Sequence, residues 1–240
     1  MLDLAHQRQQ MIDLQLAVRG ISNPLVLEAM RRVPRERFVA QGLEEFAYED
    51  SPLPIEAGQT ISQPYIVAVM IEAAQVQPGD RVLEIGTGSG YAAAVLSLIA
   101  DQVYTIERHP ELAALARKRF RELGCDNIEV RVGDGTLGWP EAAPFDAIIG
   151  AAAGPRVPKP LREQLAIGGR LVMPVGEKER QRLIRFRRVA PGAYEEDDLG
   201  GVRFVPLIGE HGWADAADAI AIAPWCSWTI FAHALRTACN

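Results

Sequence analysis

The sequence is poor in the residues that build metal centres, disulfide frameworks and membrane spans. Its three cysteines, Cys125, Cys226 and Cys239, are scattered and form no CxxC pair, which argues against a zinc site or a disulfide scaffold and fits a reducing compartment. The four histidines, His6, His109, His211 and His233, lie far apart, so no sequence motif for a metal or a catalytic triad is present. No uninterrupted apolar run reaches the ~18 residues of a membrane span. The opening residues Met-Leu-Asp-Leu-Ala-His-Gln-Arg lack a charged-then-apolar signal pattern. A soluble, cytoplasmic protein with no membrane association is therefore expected. A net charge of −6 argues against a nucleic-acid partner held by phosphate contacts, which requires a basic face. Internal repeats and long low-complexity linkers are also missing. What remains is a chain of 240 residues, 48% hydrophobic, able to bury one good core and near the upper end for a single domain.

Helical periodicity marks residues 5–18 and 24–33, the second opened by Pro24 after Asn23. Residues 49–60 hold two prolines and a glycine with little apolar periodicity and read as a loop. Ser62-Gln63-Pro64 then opens a third helix, running to about Ala74. From Gly79 onward strand and helix patterns alternate: strands at 81–85, 102–106, 128–132, 145–149 and 169–175, helices at 90–100, 110–123 and 158–166. This alternation predicts an α/β fold, a doubly wound, mostly parallel sheet with extra N-terminal helices. Right-handed connections would place a ligand outside the carboxyl ends of the strands. Strands near 182–189 and 202–207 complete the expected sheet, joined by an acidic loop, Glu195 to Asp198. The arginine-rich run from Arg180 to Arg188 partly alternates and reads as the solvated face of an edge strand.

One short segment, Val82-Leu-Glu-Ile-Gly-Thr-Gly-Ser-Gly-Tyr91, supplies a strand, a glycine turn and a helix start. Glycines at alternate positions let the main chain take positive φ and approach a ligand closely. The spacing differs from the dinucleotide fingerprint: the third glycine falls one residue early, at Gly90, and Tyr91 stands where that glycine should be. Glu84 at the strand end would repel a pyrophosphate. S-adenosylmethionine fits better, since it carries a sulfonium, an ammonium and a ribose but no phosphate. The next strand ends at Glu107, about twenty residues beyond the first glycine, where an acid can accept hydrogen bonds from ribose hydroxyls.

Three further segments admit two readings each. Asp134, between Gly133 and Gly135, can accept from an adenine amine or close an Asx turn; with Glu84 and Glu107 at two other strand ends, the ligand reading is favoured. The hydroxyls of Thr60 and Ser62 can donate to a carboxylate or cap the following helix, and local physics favours the cap. The small residues from Gly150 to Gly154 leave room for a substrate main chain, or serve close helix-on-sheet packing.

Taken in order, Val33-Pro-Arg-Glu-Arg-Phe-Val39, Gly58-Gln-Thr-Ile-Ser-Gln-Pro64, Val82 to Tyr91, Gly133-Asp-Gly135, Ala143-Pro-Phe-Asp146, Gly168-Gly-Arg-Leu-Val172 with Pro174-Val-Gly176, and Val202-Arg-Phe-Val-Pro-Leu207 resemble the protein-L-isoaspartate O-methyltransferases. The resemblance spans roughly residues 5–212, and the Gln-Thr-Ile-Ser-Gln-Pro block is its specific part. It implies a Rossmann-like class I S-adenosylmethionine-dependent methyltransferase fold acting on isoaspartyl-containing proteins and peptides; a monomer or weak homodimer is expected, although the sequence carries no signal for oligomeric state. By this resemblance Ser62 is the active-site serine, with Thr60 beside it. Glu84, Gly86, Thr87, Gly88, Ser89, Gly90, Glu107, Arg108, Asp134 and Gly135 would surround the cofactor, with no metal. Ile61, Ala151, Ala152, Arg203, Phe204 and Val205 would border the peptide cleft. One methyltransferase domain is expected over 1–213, with helices and the substrate-side loop in 1–78 and the cofactor-binding sheet in 79–213; the tail 214–240 is unassigned and could pack on the core, form a dimer contact or cover the cleft. Competing readings are the same scaffold acting on a dedicated peptide or small molecule, and a non-catalytic cofactor-binding module. A nicotinamide dehydrogenase is disfavoured by the Gly90–Tyr91 spacing.

Overall fold

In the computed structural model, residues 3–177 and 179–215 are described; most of the tail, 216–240, lies outside them. Asp3 caps the first helix, α1 (Leu4–Gln10), by accepting from the His6 amide. The helical run continues as a wider turn over Met11–Leu16 and a tight turn over Ala17–Arg19, ending at Gly20 with φ of 98°. The expected helix at 5–18 is thus one run of three geometries, with Met11, Ile12 and Leu16 turned into the core. Asn23 caps α2 (Pro24–Arg32) through Leu25 N–H. The segment expected as a loop contains a small antiparallel ladder, β1 (Leu53–Pro54) with β2 (Thr60–Ile61), before α3 (Pro64–Ala74).

The main sheet comprises β3 (Arg81–Ile85), β4 (Gln102–Glu107), β5 (Ile128–Val132), β6 (Phe145–Gly150), β7 (Leu165–Glu177), β8 (Arg180–Ala190) and β9 (Ala193–Val202). Its order is β5-β4-β3-β6-β7-β8-β9, parallel from β5 to β7 and antiparallel beyond. The chain leaves β3 in one direction through β4 and β5, then returns to β3's other side with β6. That reversal opens a crevice above the carboxyl ends of the central strands. Val82, Leu83 and Ile85 are all buried without alternation, as expected for a strand covered on both faces. One face is covered by the N-terminal helices, α3, α4 (Tyr91–Ser97) and α5 (Pro110–Leu123); the other packs Trp139, Phe145 and Leu161 of α6 (Lys159–Glu163) against Leu171. No helix among the described residues is long and apolar enough to cross a membrane.

Two expectations for the C-terminal half are corrected. Glu195 to Asp198 is not a loop but the middle of β9, and β8 is therefore not the edge. The arginines of β8 override the poor strand propensity of four consecutive acids: Arg185 pairs with Asp197 at 2.8 Å, Arg182 with Asp198 at 2.8 Å, and Arg187 with Glu195. Residues 203–207 leave the sheet instead of forming its last strand. They run back to the crevice, where Ala153 N–H donates to Val205 O and Leu207 N–H to Ala153 O, both at 2.8 Å.

A buried cation joins the N-terminal layer to the crevice. Arg35 is completely buried, donates from Nε to Ala47 O at 2.7 Å, and holds its guanidinium 4.9 Å from the centre of the Tyr91 ring. Its two terminal nitrogens have no hydrogen-bond partner among the described residues, so the ring face supplies the compensation. Burial pushes the Arg35 pKa down to about 10, which leaves it charged at neutral pH. Tyr91 opens α4 directly after the glycine turn, so this contact braces the turn from below.

Candidate active site

The site assembles where β3, β4 and β6 end. Gly86, Gly88 and Gly90 have φ of 92°, 52° and 93°. At Gly90 the need for glycine is also steric, because a Cβ would stand 2.9 Å from the Phe120 ring of α5. Gly90 therefore packs the turn onto α5 and lies outside the walls of the crevice, whereas Gly86, Thr87, Gly88 and Ser89 line it. Glu107 staples the turn to the chain after β4: Gly88 N–H donates to Oε2 at 2.8 Å and His109 N–H to Oε1 at 2.9 Å.

Glu84 is buried beneath the turn. Thr105 Oγ1 donates to its Oε2 at 2.6 Å, and Thr87 Oγ1 lies 2.6 Å from the same threonine hydroxyl. Burial pushes the Glu84 carboxyl up to about 8; the Thr105 hydrogen bond pulls it down and the Glu107 charge adds to the rise.

The hydroxyl loop forms the opposite wall. Ser62 does not cap α3: the cap position is Gln63, which makes no side-chain capping bond. Asp50 does that work from a distance, accepting from Tyr65 N–H at 3.2 Å and Gln63 Nε2 at 3.3 Å while paired with Arg19. The Ser62 hydroxyl is left without a hydrogen bond among the described residues.

Two chambers meet at this loop. The first, with about 1010 Å³ of empty space partly open to solvent, is walled by Glu84, the glycine turn, Glu107, Arg108, Gly135 and Ile61. The second, about 1590 Å³, adds Arg180, Arg182 and Arg203. Thr60, Ser62, Ala151, Phe204 and Val205 belong to both, and Ala152 to the first. Arg108 is also paired with Asp215.

Asp134 precedes Gly135, which lines the first chamber, and its carboxylate is held by nearby main chain. Its Oδ1 accepts from Thr136 N–H at 2.8 Å and Thr136 Oγ1 at 2.7 Å, and its Oδ2 from Glu210 N–H at 2.8 Å. The carboxylate is thus engaged in the turn geometry that Asp-Gly favours. Three residues in or beside the site gave no sequence signal: Asp50, His109 and Gln181. Gln181 is nearly buried and clamps the main chain of Phe204, donating to its O at 3.1 Å and accepting from its N–H at 2.7 Å. His109 lines the first chamber, where no other described histidine stands.

Comparison with known proteins covers the same part of the chain. The sequence model of the protein-L-isoaspartate(D-aspartate) O-methyltransferase family matches residues 6–212. A Pelobacter propionicus protein named protein-L-isoaspartate O-methyltransferase 2 is 61% identical over 209 residues, covering 87% of this chain and 93% of its own. A solved protein-L-isoaspartate O-methyltransferase superposes with a TM-score of 0.78 at 30% identity, over 85% of this chain and 67% of that one. A Plasmodium falciparum beta-aspartate methyltransferase in complex with S-adenosyl-L-homocysteine gives 0.73 at 25% identity, over 84% and 98%. By the sequence match across the fold and the hydroxyl loop, the chain belongs to the protein-L-isoaspartate(D-aspartate) O-methyltransferase family.

Proposed function

We propose that this chain transfers a methyl group from S-adenosylmethionine to the α-carboxylate of L-isoaspartyl residues in damaged proteins. The carrying observation is the uncommitted Ser62 hydroxyl, on the wall shared by an acid-lined chamber and an arginine-bordered one. The acid-lined chamber suits the donor. Glu84 faces the cationic methionine end, and Glu107, with lone pairs beyond those given to Gly88 and His109, accepts from the ribose hydroxyls. When bound, S-adenosylmethionine supplies a sulfonium-activated methyl group.

The remaining work is positioning. A carboxylate with an ordinary pKa of about 4 is already ionised at neutral pH and needs no general base. Ser62 and Thr60 orient it by hydrogen bonding to one oxygen while the other attacks, and well-oriented reactants can save on the order of 7–11 kcal/mol of barrier. Methyl transfer leaves S-adenosylhomocysteine and a methyl ester; the neighbouring peptide nitrogen then attacks the ester carbonyl, loses its proton and expels methanol, closing a succinimide without help from any side chain of the enzyme. A cytoplasmic setting belongs to this reading and is supported by the scattered thiols.

The first test is labelled methyl transfer to two synthetic peptides that differ only in isoaspartate against aspartate at one position. Base-labile label is expected on the isoaspartyl peptide alone. Label on neither peptide, with the cofactor still binding, would turn the search to a dedicated substrate.

Glu84 provides a second test through pH. Its folded pKa of about 8 lies above the ordinary 4.5, so the free protein holds a proton there that the unfolded chain releases. That contribution to stability is complete below about pH 4.5 and is lost as pH rises through about 8, by about 5 kcal/mol at most. A cationic ligand favours the carboxylate, so binding at pH 7 releases a proton and affinity rises roughly tenfold between pH 7 and 9. Calorimetry in buffers of different ionisation enthalpy measures that proton. A binding enthalpy independent of buffer would place the cation elsewhere.

A further inference from the structure

The ladder between β8 and β9 pairs Arg182, Arg185 and Arg187 with acids of β9, but it stops at the second chamber. Its last rung pairs Gln181 with Val202, so Arg180, the first residue of β8 and opposite Glu177 of β7, and Arg203, just after β9, stand beyond that rung. Both are exposed and line the chamber that contains Ser62. Neither has an ion-pair partner among the described residues, whereas the adjacent Arg182 is held through Nε by both oxygens of Asp198, at 3.0 and 2.8 Å. Glu179 is the one acidic side chain among the described residues of that lining. The backbone beside Arg203 is fixed on both sides, by the Val202 rung and by the Gln181 clamp on Phe204. A chain of net charge −6 thus presents two cations without ion-pair partners among the described residues in the lining of this chamber, Arg203 on a held backbone.

We propose that Arg180 and Arg203 make the enzyme selective for isoaspartyl sites that carry a second carboxylate side chain within a residue or two of the damaged position. The proposal rests on the repair reading above and adds a substrate subclass to it. The isoaspartyl α-carboxylate engages the hydroxyl loop, and an acidic neighbour, displaced along the extended peptide, meets the guanidinium groups. Arginine suits this task because its planar fork pairs with carboxylates in more than one pose. A lysine at the same peptide position would meet like charge. Because the two arginines are exposed, the preference is expressed in encounter and binding, hence in KM, and is screened by salt.

The test uses three isoaspartyl peptides identical except for glutamate, glutamine or lysine beside the damaged residue. With the full chain at low ionic strength, kcat/KM is expected to rank glutamate over glutamine over lysine, spanning about tenfold, the scale of one or two exposed ion pairs. The span should shrink in ~1 M salt, where the screening length falls to about 3 Å. In the Arg180→Glu, Arg203→Glu double variant the ratio of glutamate to lysine peptide should fall below one, read as a ratio within the variant so that any general loss of activity cancels. Equal kcat/KM for the three peptides, or a ranking that survives in the double variant, would overturn the proposal while leaving the repair reading intact. Methylation of none of the three would remove that reading, and the proposal with it.

Discussion

Alanine at position 62 lowers turnover on an isoaspartyl peptide about 10- to 100-fold and leaves S-adenosylmethionine affinity unchanged. The magnitude follows from one hydrogen bond to a charged group, about 1.5–3 kcal/mol, made where the carboxylate must be aimed. The structure separates this effect from helix stability. Asp50, not Ser62, holds the first turn of α3, so the Ser62→Ala melting temperature should stay close to that of the parent. Asp50→Ala is the matching control: it frees Tyr65 N–H, Gln63 and Arg19 together, lowers the melting temperature, and loosens the loop that carries Ser62. Steady-state kinetics, calorimetric cofactor titration and thermal unfolding of both variants decide the matter. Full turnover in Ser62→Ala, with a less stable fold, would return the serine to a structural role.

How far such a site is legible in a sequence depends on how local its causes are. β3 and β4 read directly, because strands buried on both faces appear as apolar runs and the glycine turn follows at once. The Asp134 turn is also local: Asp-Gly geometry is enough to produce the bond to Thr136. Other features depend on partners far along the chain. Four acids at 195–198 look like a loop until the arginines of β8 lie opposite them. Local rules assign a helix cap to the nearest hydroxyl, and so favoured capping for Ser62; the carboxylate that takes the amide instead comes from a residue 15 positions upstream of it. Nothing in Val33 to Val39 marks Arg35 rather than Arg37 as the buried one, since the difference is made by the Tyr91 ring. The glycine-turn side of the crevice is therefore the more legible half. Its acids and glycines follow one another at strand ends, while the Ser62 hydroxyl is left uncommitted by the tertiary contact of Asp50 with Tyr65 N–H.

Removing the Glu107 carboxylate should produce the largest loss of cofactor binding, with Glu107→Ala raising Kd by about 100-fold or more. Two causes add. The Gly88 and His109 amides lose a charged acceptor, and a buried donor left unpaired costs about 1–3 kcal/mol; the turn that Glu107 staples then loses its preorganised shape. The ribose hydroxyls also lose their acceptor, at about 1.5–3 kcal/mol for a hydrogen bond to a charged group. A ligand series divides the two. S-adenosylhomocysteine and an analogue lacking both ribose hydroxyls, titrated into the parent and into Glu107→Ala, form a thermodynamic cycle whose interaction energy isolates the direct contact. With a direct contact, the parent discriminates strongly between the two ligands and the variant hardly at all. Equal discrimination by both proteins would leave Glu107 as a staple of the glycine turn alone and move the ribose to another wall of the chamber. Unchanged S-adenosylhomocysteine affinity in the variant would remove Glu107 from the cofactor site altogether.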